Sequence, residues 1–186
     1  MKDINGWRLI FLDTGACKGN PWPMGDAGRA TWLRRVLTET PGRAKIVMAH
    51  HSRLSRGKHG DVRDVDGLWR TLFDAATGAP LASLTMAGHD HNVSVYGPRA
   101  ADRPEHGPVA FAKGIHLIVN GAGGNGHDIG FVGTRPDLFS DEDNFCVTRI
   151  NLIDATSADI DILGFGPNNP PTAAVPAVLK TIQIRL

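Results

Sequence analysis

The chain has 186 residues, of which 41% are hydrophobic and 21% are charged, so it is long enough to bury one sizeable core as a globular protein. Twenty Lys and Arg residues against nineteen Asp and Glu residues leave a formal net charge of +1. This balance excludes the strong positive field that attracts nucleic acid or an anionic membrane surface, and we expect neither as a partner.

The first half of the chain alternates apolar, strand-like runs with helical patterns. Three short apolar runs are predicted to be buried strands: residues 7–12, 46–49 and 84–87. Two segments with apolar residues at helical spacing are predicted to be helices: residues 28–38, with Asp26 as the N-cap, and residues 68–75. This β-α-β-α-β order predicts an α/β fold with a largely parallel sheet, which collects the loops after the strands at one edge.

The second half has short strand-like runs separated by Gly, Pro and Asn. The predicted strands are residues 93–96, 115–119, 145–152 and 160–163. We expect them to run antiparallel and to extend the same sheet. One domain over residues 1–166 is therefore predicted, followed by a tail over residues 167–186, whose final segment, residues 181–186, forms an edge strand or a poorly ordered end.

Neither the cysteines nor the chain start indicates a disulfide scaffold or a membrane anchor. Cys17 and Cys146 are far apart and lack metal-type spacing, which argues against a zinc ribbon and leaves a pairing between them open. No apolar run reaches the roughly 18 residues that a membrane span needs, and residues 1–6 are polar, so we expect no transmembrane segment or signal peptide in this chain. These features do not predict a localisation.

Four of the eight histidines occupy two short loops, each directly after a predicted buried strand. The loops are Ala49-His50-His51-Ser52 and Gly88-His89-Asp90-His91-Asn92. Ligands of open α/β sheets bind beyond the carboxyl ends of the strands, so these imidazoles are expected to converge on a site. Histidines at two strand ends favour a metal site over a polar loop whose histidines only form hydrogen bonds.

The spacing in the second loop indicates two adjacent ions. His89 and His91 are separated by one residue, and in an extended backbone their side chains point to opposite faces, so each would serve a different ion. Gly88 would let the backbone turn sharply at the strand end, because it lacks a Cβ. Asp90 would be an acceptor behind the ligands, able to fix an imidazole tautomer or to balance metal charge.

The second loop resembles the Gly-His-x-His signature of calcineurin-like metallophosphoesterases, in the Gly-His-Asp-His-Asn form typical of purple acid phosphatases. Residues 49–60 resemble the preceding motif of that family. In that motif a strand-terminal histidine, here His50, is followed nine residues later by a second histidine, here His59.

Two further segments support the resemblance. Residues 8–14 resemble the strand that enters the family's C-terminal half, and residues 120–124 look like its glycine-rich loop. The matches occur in the family's order and cover most of residues 7–127. They imply the C-terminal half of a metallophosphoesterase α/β/β/α sandwich.

The resemblance also implies a function, the hydrolysis of a phosphoester by a dinuclear centre of divalent or trivalent ions such as Fe, Zn or Mn. His50 and His89 would bind one ion and His91 the other. The residues on the substrate side would be His51, His59 and Asn92. Such ions polarise the phosphoryl group and activate a bound water, while His59 would stabilise or protonate the leaving oxygen.

The chain departs from the family pattern in a way that limits this chemistry. The motifs Asp-x-His, Gly-Asp and Gly-Asn-His, which precede this region in the family, do not occur here as a series, and the carboxylate that bridges the two ions is lost with them. Neutral imidazoles do not offset the positive charge of a metal ion, and no anionic ligand is present to do so. We therefore expect weak or partial metal binding. One expected partner is a phosphoester substrate. The other is either the missing N-terminal half or a second copy of the chain. Without that half, one edge of the parallel sheet and one apolar face would be exposed, and this second partner would cover them.

Two other functions remain open at this stage. Leu12-Asp13-Thr14-Gly15-Ala16 also matches the Asp-Thr-Gly-Ala motif of aspartic proteases, in which paired carboxylates activate water. A single motif would require a homodimer of the retroviral type, with Asp13 paired to its copy, and a mostly β fold, which the helical patterns count against. The other possibility is a non-catalytic half-domain or partner-binding module.

A basic stretch lies between the two histidine loops, with Arg53, Arg56 and Lys58. Its charge would steer an anionic substrate towards His59. A solvated loop without that role is the simpler interpretation.

Overall fold

The computed structural model describes residues 1–14, 27–123, 126–127, 130–167 and 175–186. The helices in these ranges are α1 (Ala27–Thr38) and α2 (Asp66–Thr71), and single-turn 3₁₀ helices lie at Arg63–Val65, Pro104–His106 and Phe111–Lys113. The strands are β1 (Lys2–Ile4), β2 (Trp7–Leu12), β3 (Lys45–Ala49), β4 (Leu84–Ala87), β5 (Val93–Arg99), β6 (Ile115–Asn120), β7 (Phe139–Asp141), β8 (Cys146–Leu152), β9 (Ser157–Gly164) and β10 (Ala177–Arg185).

A seven-stranded mixed sheet forms the centre of the fold, in the order β1-β2-β3-β4-β6-β5-β7. Strands β2, β3, β4 and β6 run parallel, whereas β1, β5 and β7 pair antiparallel with their neighbours. The strands and helices predicted for the first half are therefore confirmed. Helix α2 ends at Thr71, earlier than expected, because Phe73 pairs with Pro80 in an isolated bridge that turns the chain back.

The expectation that residues 115–119 run antiparallel to the first strands is wrong. Strand β6 pairs parallel with β4, and Leu84 lies opposite His116. The chain reverses direction into β5 and reverses again into β6, so β6 runs in the direction of β4. It therefore fits between β4 and β5 as a further parallel strand.

The strands after residue 145 do not extend the large sheet, which corrects a second expectation. They form a separate antiparallel sheet in the order β10-β9-β8. Alternate residues are buried, Ile160 and Ile162 in β9 and Ile182 and Ile184 in β10, so one face of this small sheet is apolar. Packing that face on the large sheet buries it, which pairing at an edge would not do.

The large sheet has a hydrophobic core on each face. On one face, Leu33 of α1 and Trp69 of α2 pack against Val47 of β3. On the other face, Ile46 of β3 belongs to a core shared with Ile160 of the small sheet. Successive residues of β3 thus serve opposite cores, as strand alternation requires. The layers are helices, large sheet and small sheet, a mixed α/β arrangement.

The sheet edge next to β2, expected to be open, is covered over half its length: β1 pairs with residues 7–9, and no described strand pairs with residues 10–12 on that side. Strand β1 pairs along β2, and Arg8 Nε lies 2.9 Å from Asp3 Oδ1 in an ion pair across the two strands. Apolar side chains are exposed at this edge, where Phe11 of β2 is 56% exposed and Ile4 of β1 is 44% exposed, and also on the small sheet. Val147 is 44% exposed and Val178 is 54% exposed.

Several predicted features lie outside the described residues, among them the N-cap Asp26 and Cys17. Cys146 is buried between the sheets and has no disulfide partner in the described ranges. Burial raises the pKa of its thiol to about 12, so it stays protonated.

Among the described helices, none combines the length and the apolar character that crossing a membrane demands.

Candidate metal centre

Three neighbouring parallel strands end at one level of the large sheet. Leu12 of β2 pairs with Ala49 of β3, which in turn pairs with Ala87 of β4. Because adjacent strands lie about 4.8 Å apart, the residues that follow them share a small region. Those residues are Thr14, His50, His51 and His89.

The imidazoles of His50, His51 and His89 form a compact group, which we call the three-histidine group. One ring nitrogen of each lies within 4.8 Å of the others. His89 Nδ1 and His50 Nε2 are 3.2 Å apart, and the ring centroids of His51 and His89 are 4.4 Å apart. The structure thus brings together the two histidines predicted to share an ion, although their role as ligands stays a prediction.

The other two predicted histidines lie outside this group. The ring of His59 packs beside that of His89, with 4.3 Å between their centroids, and its side chain is exposed. His91 Nδ1 lies 3.0 Å from the carbonyl oxygen of Gly126. His59 is therefore next to the group, and the binding of a second ion by His91 stays a prediction.

Asp90 lies buried behind the histidines, with 1% of its surface exposed. Its carboxylate accepts hydrogen bonds from the backbone N–H of His59, at 2.8 Å, and from the hydroxyl of Ser55. Gly57 packs so closely on this carboxylate that a Cβ there would clash with it. Asp90 therefore holds the loop that carries His59, and none of its described hydrogen bonds involves the predicted partner, an imidazole.

The left-handed turn after β4 occurs at His89 and not at Gly88, where the sequence suggested that the backbone would turn. His89 has a φ of 68°, a left-handed conformation that costs a residue with a Cβ about 1–2 kcal/mol. A Cβ added to Gly88 would meet nothing within 4 Å. Glycine is required at Gly121, where a Cβ would clash with the carbonyl oxygen of Asp90. Backbone strain of the kind seen at His89 is concentrated at functional sites.

Burial favours the neutral form of two rings in the three-histidine group. It is the main cause that lowers the pKa of His89 to about 4, and the charges of His51, His59 and His50 lower it further. Burial also lowers the pKa of His51, with His50 as the next cause. A neutral imidazole has a lone pair for a cation, so no proton has to be displaced at neutral pH before a metal binds.

Asn92, predicted on the substrate side, lies inside the protein. Its side chain is 0% exposed, and its amide nitrogen and oxygen have no hydrogen-bond partner in the described part of the chain. A ligand bound at the surface would not reach this amide. The position of Asn92 therefore does not favour direct contact with a substrate.

Thr14 belongs to the site, although the sequence indicated no role for it there and placed it only in the protease-like motif and the strand-like segment 8–14. Its buried hydroxyl accepts hydrogen bonds from the backbone N–H groups of His50, at 3.1 Å, and His51, at 2.9 Å. The same oxygen lies 3.3 Å from Nδ1 of His51. One feature of the sequence could have indicated this role: a residue with a hydroxyl group lies just after β2, and the neighbouring strand β3 ends at two histidines.

The basic stretch between the loops presents little free charge to the site. Arg53 is buried and forms an ion pair with Asp66. Arg56 lies 3.5 Å from Glu142 in a second ion pair. These ion pairs count against the steering interpretation for both arginines, and Lys58 is the exposed cation of this stretch.

The separation of His50 Nε2 and His89 Nδ1 suits a hydrogen bond between the two rings, and it also suits two ligands of one metal ion. In a tetrahedral zinc site, two nitrogen ligands about 2.0–2.1 Å from the ion are about 3.3 Å from each other. This is close to the 3.2 Å between His50 Nε2 and His89 Nδ1. Within the described ranges, no Asp or Glu joins the three-histidine group. An ion held there would keep its full positive charge, so weak binding remains the expectation.

The sequence matches no protein-family description and no curated protein. In solved structures the fold is similar to that of a purple acid phosphatase, PPD1, isolated from yellow lupin (Lupinus luteus) seeds, with a TM-score of 0.71 and 15% identity over 99% of this chain and 32% of that chain. It is also similar to GAP50, the anchor in the inner membrane complex of Plasmodium, with a TM-score of 0.60 and 17% identity over 96% of this chain and 49% of that chain.

These similarities establish the fold and no more, because the identities are low. The chain has a mixed α/β fold that matches part of a metallophosphoesterase fold. It spans about a third of the length of the lupin phosphatase (32%) and about half that of GAP50 (49%).

Proposed function

We propose that this chain supplies the histidine ligands of a dinuclear metal centre that hydrolyses a phosphoester. One observation carries the proposal: His50 Nε2 and His89 Nδ1 are held 3.2 Å apart at the carboxyl edge of a parallel sheet. The similarity in fold to a purple acid phosphatase supports it. Since one fold hosts many functions, the proposal depends on the site.

In this proposal His50 and His89 hold one ion and His91 holds the second. When bound, the ions supply a Lewis acid for the phosphoryl oxygen and an activated water. His59, exposed and beside His89, donates a proton or a hydrogen bond to the leaving oxygen. Asp90 keeps His59 in place through the backbone N–H of that residue.

Acidic ligands from outside the described site would complete the centre. The three-histidine group contains no carboxylate, and two divalent ions need anionic ligands to offset their charge. These would come from the part of the fold that this chain does not span, or from a second copy of the chain. The isolated chain is therefore expected to bind metal weakly and to turn over slowly.

Calorimetric titration of the purified chain with Zn²⁺ tests the ligand assignment. His50→Ala and His89→Ala should each weaken binding by roughly tenfold or more, as loss of a metal-site residue does. His106→Ala is the matched control, because His106 is exposed on a 3₁₀ turn and is not a member of the three-histidine group. Unchanged affinity in both site variants would contradict the assignment.

Release of p-nitrophenol from p-nitrophenyl phosphate tests the reaction. The metal-loaded chain should hydrolyse this ester, and a chelator should abolish the activity. His59→Ala should lower kcat by about 10²-fold or more, the usual contribution of a general acid, while Zn²⁺ affinity stays unchanged. Zn²⁺ binding without any metal-dependent hydrolysis would contradict catalysis by this chain.

A non-catalytic module that binds a partner is the second candidate. The lack of a carboxylate in the three-histidine group favours it, as does the similarity in fold to GAP50, which is described as an anchor. Metal binding without hydrolysis would select it. The aspartic protease alternative loses support, because the mixed α/β fold differs from the mostly β fold that a retroviral-type dimer through Asp13 requires.

A further inference from the structure

The hydroxyl of Thr14 makes three polar contacts at the edge of the three-histidine group. Thr14 lies just beyond β2 and is 1% exposed. Its oxygen is 3.1 Å from the backbone nitrogen of His50, 2.9 Å from that of His51 and 3.3 Å from Nδ1 of the His51 ring. The first two contacts join the ends of β2 and β3, so they place the hydroxyl against the His51 ring.

The chemistry of these contacts determines where the protons lie. A hydroxyl oxygen accepts two hydrogen bonds through its lone pairs and donates one through its proton. The backbone N–H groups of His50 and His51 can only donate, so they occupy both lone pairs of Thr14. For the remaining contact the hydroxyl has only its proton left, so the geometry favours Thr14 as the donor and Nδ1 of His51 as the acceptor. The neutral ring of His51 then carries its proton on Nε2.

We propose that Thr14 holds His51 in the Nε2–H tautomer and so makes His51 a hydrogen-bond donor to an anionic ligand, leaving the cation to His50 and His89. A protonated ring nitrogen has no lone pair for a metal ion, whereas an N–H group suits a phosphoryl oxygen. The three-histidine group is thereby divided by function. That the anion is a phosphoester rests on the proposed function, but the tautomer does not.

Thr14 is a positioning residue in this scheme, because it acts on the ligand only through His51. The Nε2–H group would bind a phosphoryl oxygen beside the ion held by the other two rings. A donor of this kind stabilises the anion without adding a positive charge next to the cation. It also explains why three neighbouring imidazoles do not have to compete for one ion.

Long-range ¹H–¹⁵N correlation spectra of the ¹⁵N-labelled chain at about pH 8, where ordinary histidines are neutral, report the tautomer directly. These spectra detect ring nitrogens through the carbon-bound ring protons, and the signals of His51 are those lost in His51→Gln. Wild type and Thr14→Ser should both show the Nε2–H pattern. Thr14→Val lacks the hydroxyl, and its ratio of Nε2–H to Nδ1–H should fall about fivefold or more, the effect of losing one neutral hydrogen bond.

Two results would overturn the tautomer assignment. One is an Nδ1–H pattern for His51 in wild type, which needs no variant and therefore does not depend on how Thr14→Val folds. The other is an unchanged pattern in Thr14→Val, provided that its backbone amide spectrum matches that of wild type away from the site.

Titration of the same sample with Zn²⁺, and then with inorganic phosphate, separates this inference from the proposed function. Zn²⁺ should shift the ring nitrogens of His50 and His89 and leave His51 in the Nε2–H form, and phosphate should then shift His51 Nε2. A metal-bound pattern at His51 overturns the inference, and so does a phosphate titration that leaves His51 unaffected. If Zn²⁺ shifts none of the three rings, the proposed function fails while the tautomer result stands.

Discussion

At the residue scale, His89 combines a functional side chain with a strained backbone. Its ring belongs to the three-histidine group, and its φ of 68° lies in the left-handed region. A glycine would adopt this conformation without strain, but it would supply no imidazole. At this one residue, the imidazole requires a Cβ that makes the left-handed backbone less stable. The cost can be measured by substituting His89.

His89→Gly should be more stable than His89→Ala by about 1 kcal/mol, because only the alanine retains a Cβ in the left-handed conformation. Urea denaturation of both variants gives the difference from their midpoints. The matched pair His59→Gly and His59→Ala provides the control, since His59 has no positive φ. Equal stability of the two His89 variants would show that the backbone strain is absent in solution.

His116 is a second residue whose environment has a measurable consequence. It lies in β6 with 8% of its surface exposed, its Nδ1 has no hydrogen-bond partner in the described part of the chain, and burial lowers its pKa to about 4. Above about pH 6.5, the ordinary histidine value, both the folded and the unfolded chain keep it neutral. Below that pH the unfolded chain binds the proton first.

The stability contributed by neutral His116 should therefore be complete above about pH 6.5 and be lost as the pH falls towards 4, by about 3 kcal/mol in all. The free energy of unfolding of His116→Leu should decline less over this interval than that of wild type. His106→Leu is the control, because His106 is exposed. Parallel curves for wild type and His116→Leu would contradict the assignment.

At the scale of elements, two carboxylates hold the loop between β3 and α2. Asp90 binds the part of the loop that carries His59. Asp61 accepts hydrogen bonds from the backbone N–H groups of Ser55, at 3.1 Å, and Thr134, at 3.0 Å. The loop has no helix or strand of its own before residue 63, so these side chains replace the backbone hydrogen bonds of regular structure.

Asp90→Ala should release this loop locally. The backbone N–H of His59 loses its acceptor, so its amide should exchange with solvent faster, and the free energy of unfolding should fall by about 1–3 kcal/mol. Asp90→Asn retains an acceptor and should largely preserve the protection of this amide. Hydrogen-exchange NMR measures both effects, with Asp64→Asn as the control for an exposed carboxylate. Unaltered exchange at His59 in Asp90→Ala would show that another contact holds the loop.

At the scale of the whole molecule, the small sheet has an exposed apolar surface on the side that faces away from the large sheet. Val147 and Val178 of the small sheet are 44% and 54% exposed, whereas strand β1 covers half of the edge of the large sheet next to β2. Exposed apolar patches on a small domain favour association. The partner that we expect, a second copy or a further part of the fold, would bind here.

Sedimentation equilibrium of the purified chain should therefore show association that rises with concentration. The double variant Val147→Lys with Val178→Lys should shift the chain towards monomer, because charged side chains oppose burial of this surface. Asp64→Lys, at an exposed position in the 3₁₀ turn before α2, is the control and should leave association unchanged. A wild-type chain that stays monomeric at high concentration would contradict the expected partner surface.

Much of the local structure was predictable from the sequence, for reasons visible in single segments. Strand β2 was predicted with its exact bounds because a short apolar run ends in Asp13 and Thr14. Helix α1 was predicted because Leu33 and Leu37 recur at helical spacing. The position of His50 and His89 at strand ends followed from the same patterns, since periodicity and turn residues depend only on neighbours along the chain.

Only the tertiary structure decided how distant segments meet. The parallel direction of β6, the separate small sheet, the burial of Asn92 and the contact of Thr14 with His51 each join residues far apart in sequence. The distance of 3.2 Å between His50 Nε2 and His89 Nδ1 likewise depends on the register of β3 with β4. The sequence by itself determined which chemical groups stand at the ends of the strands. Strand order and core packing decided which groups these meet. Both minimise the exposed apolar surface of the whole chain, so neither can be predicted from the sequence of a single segment.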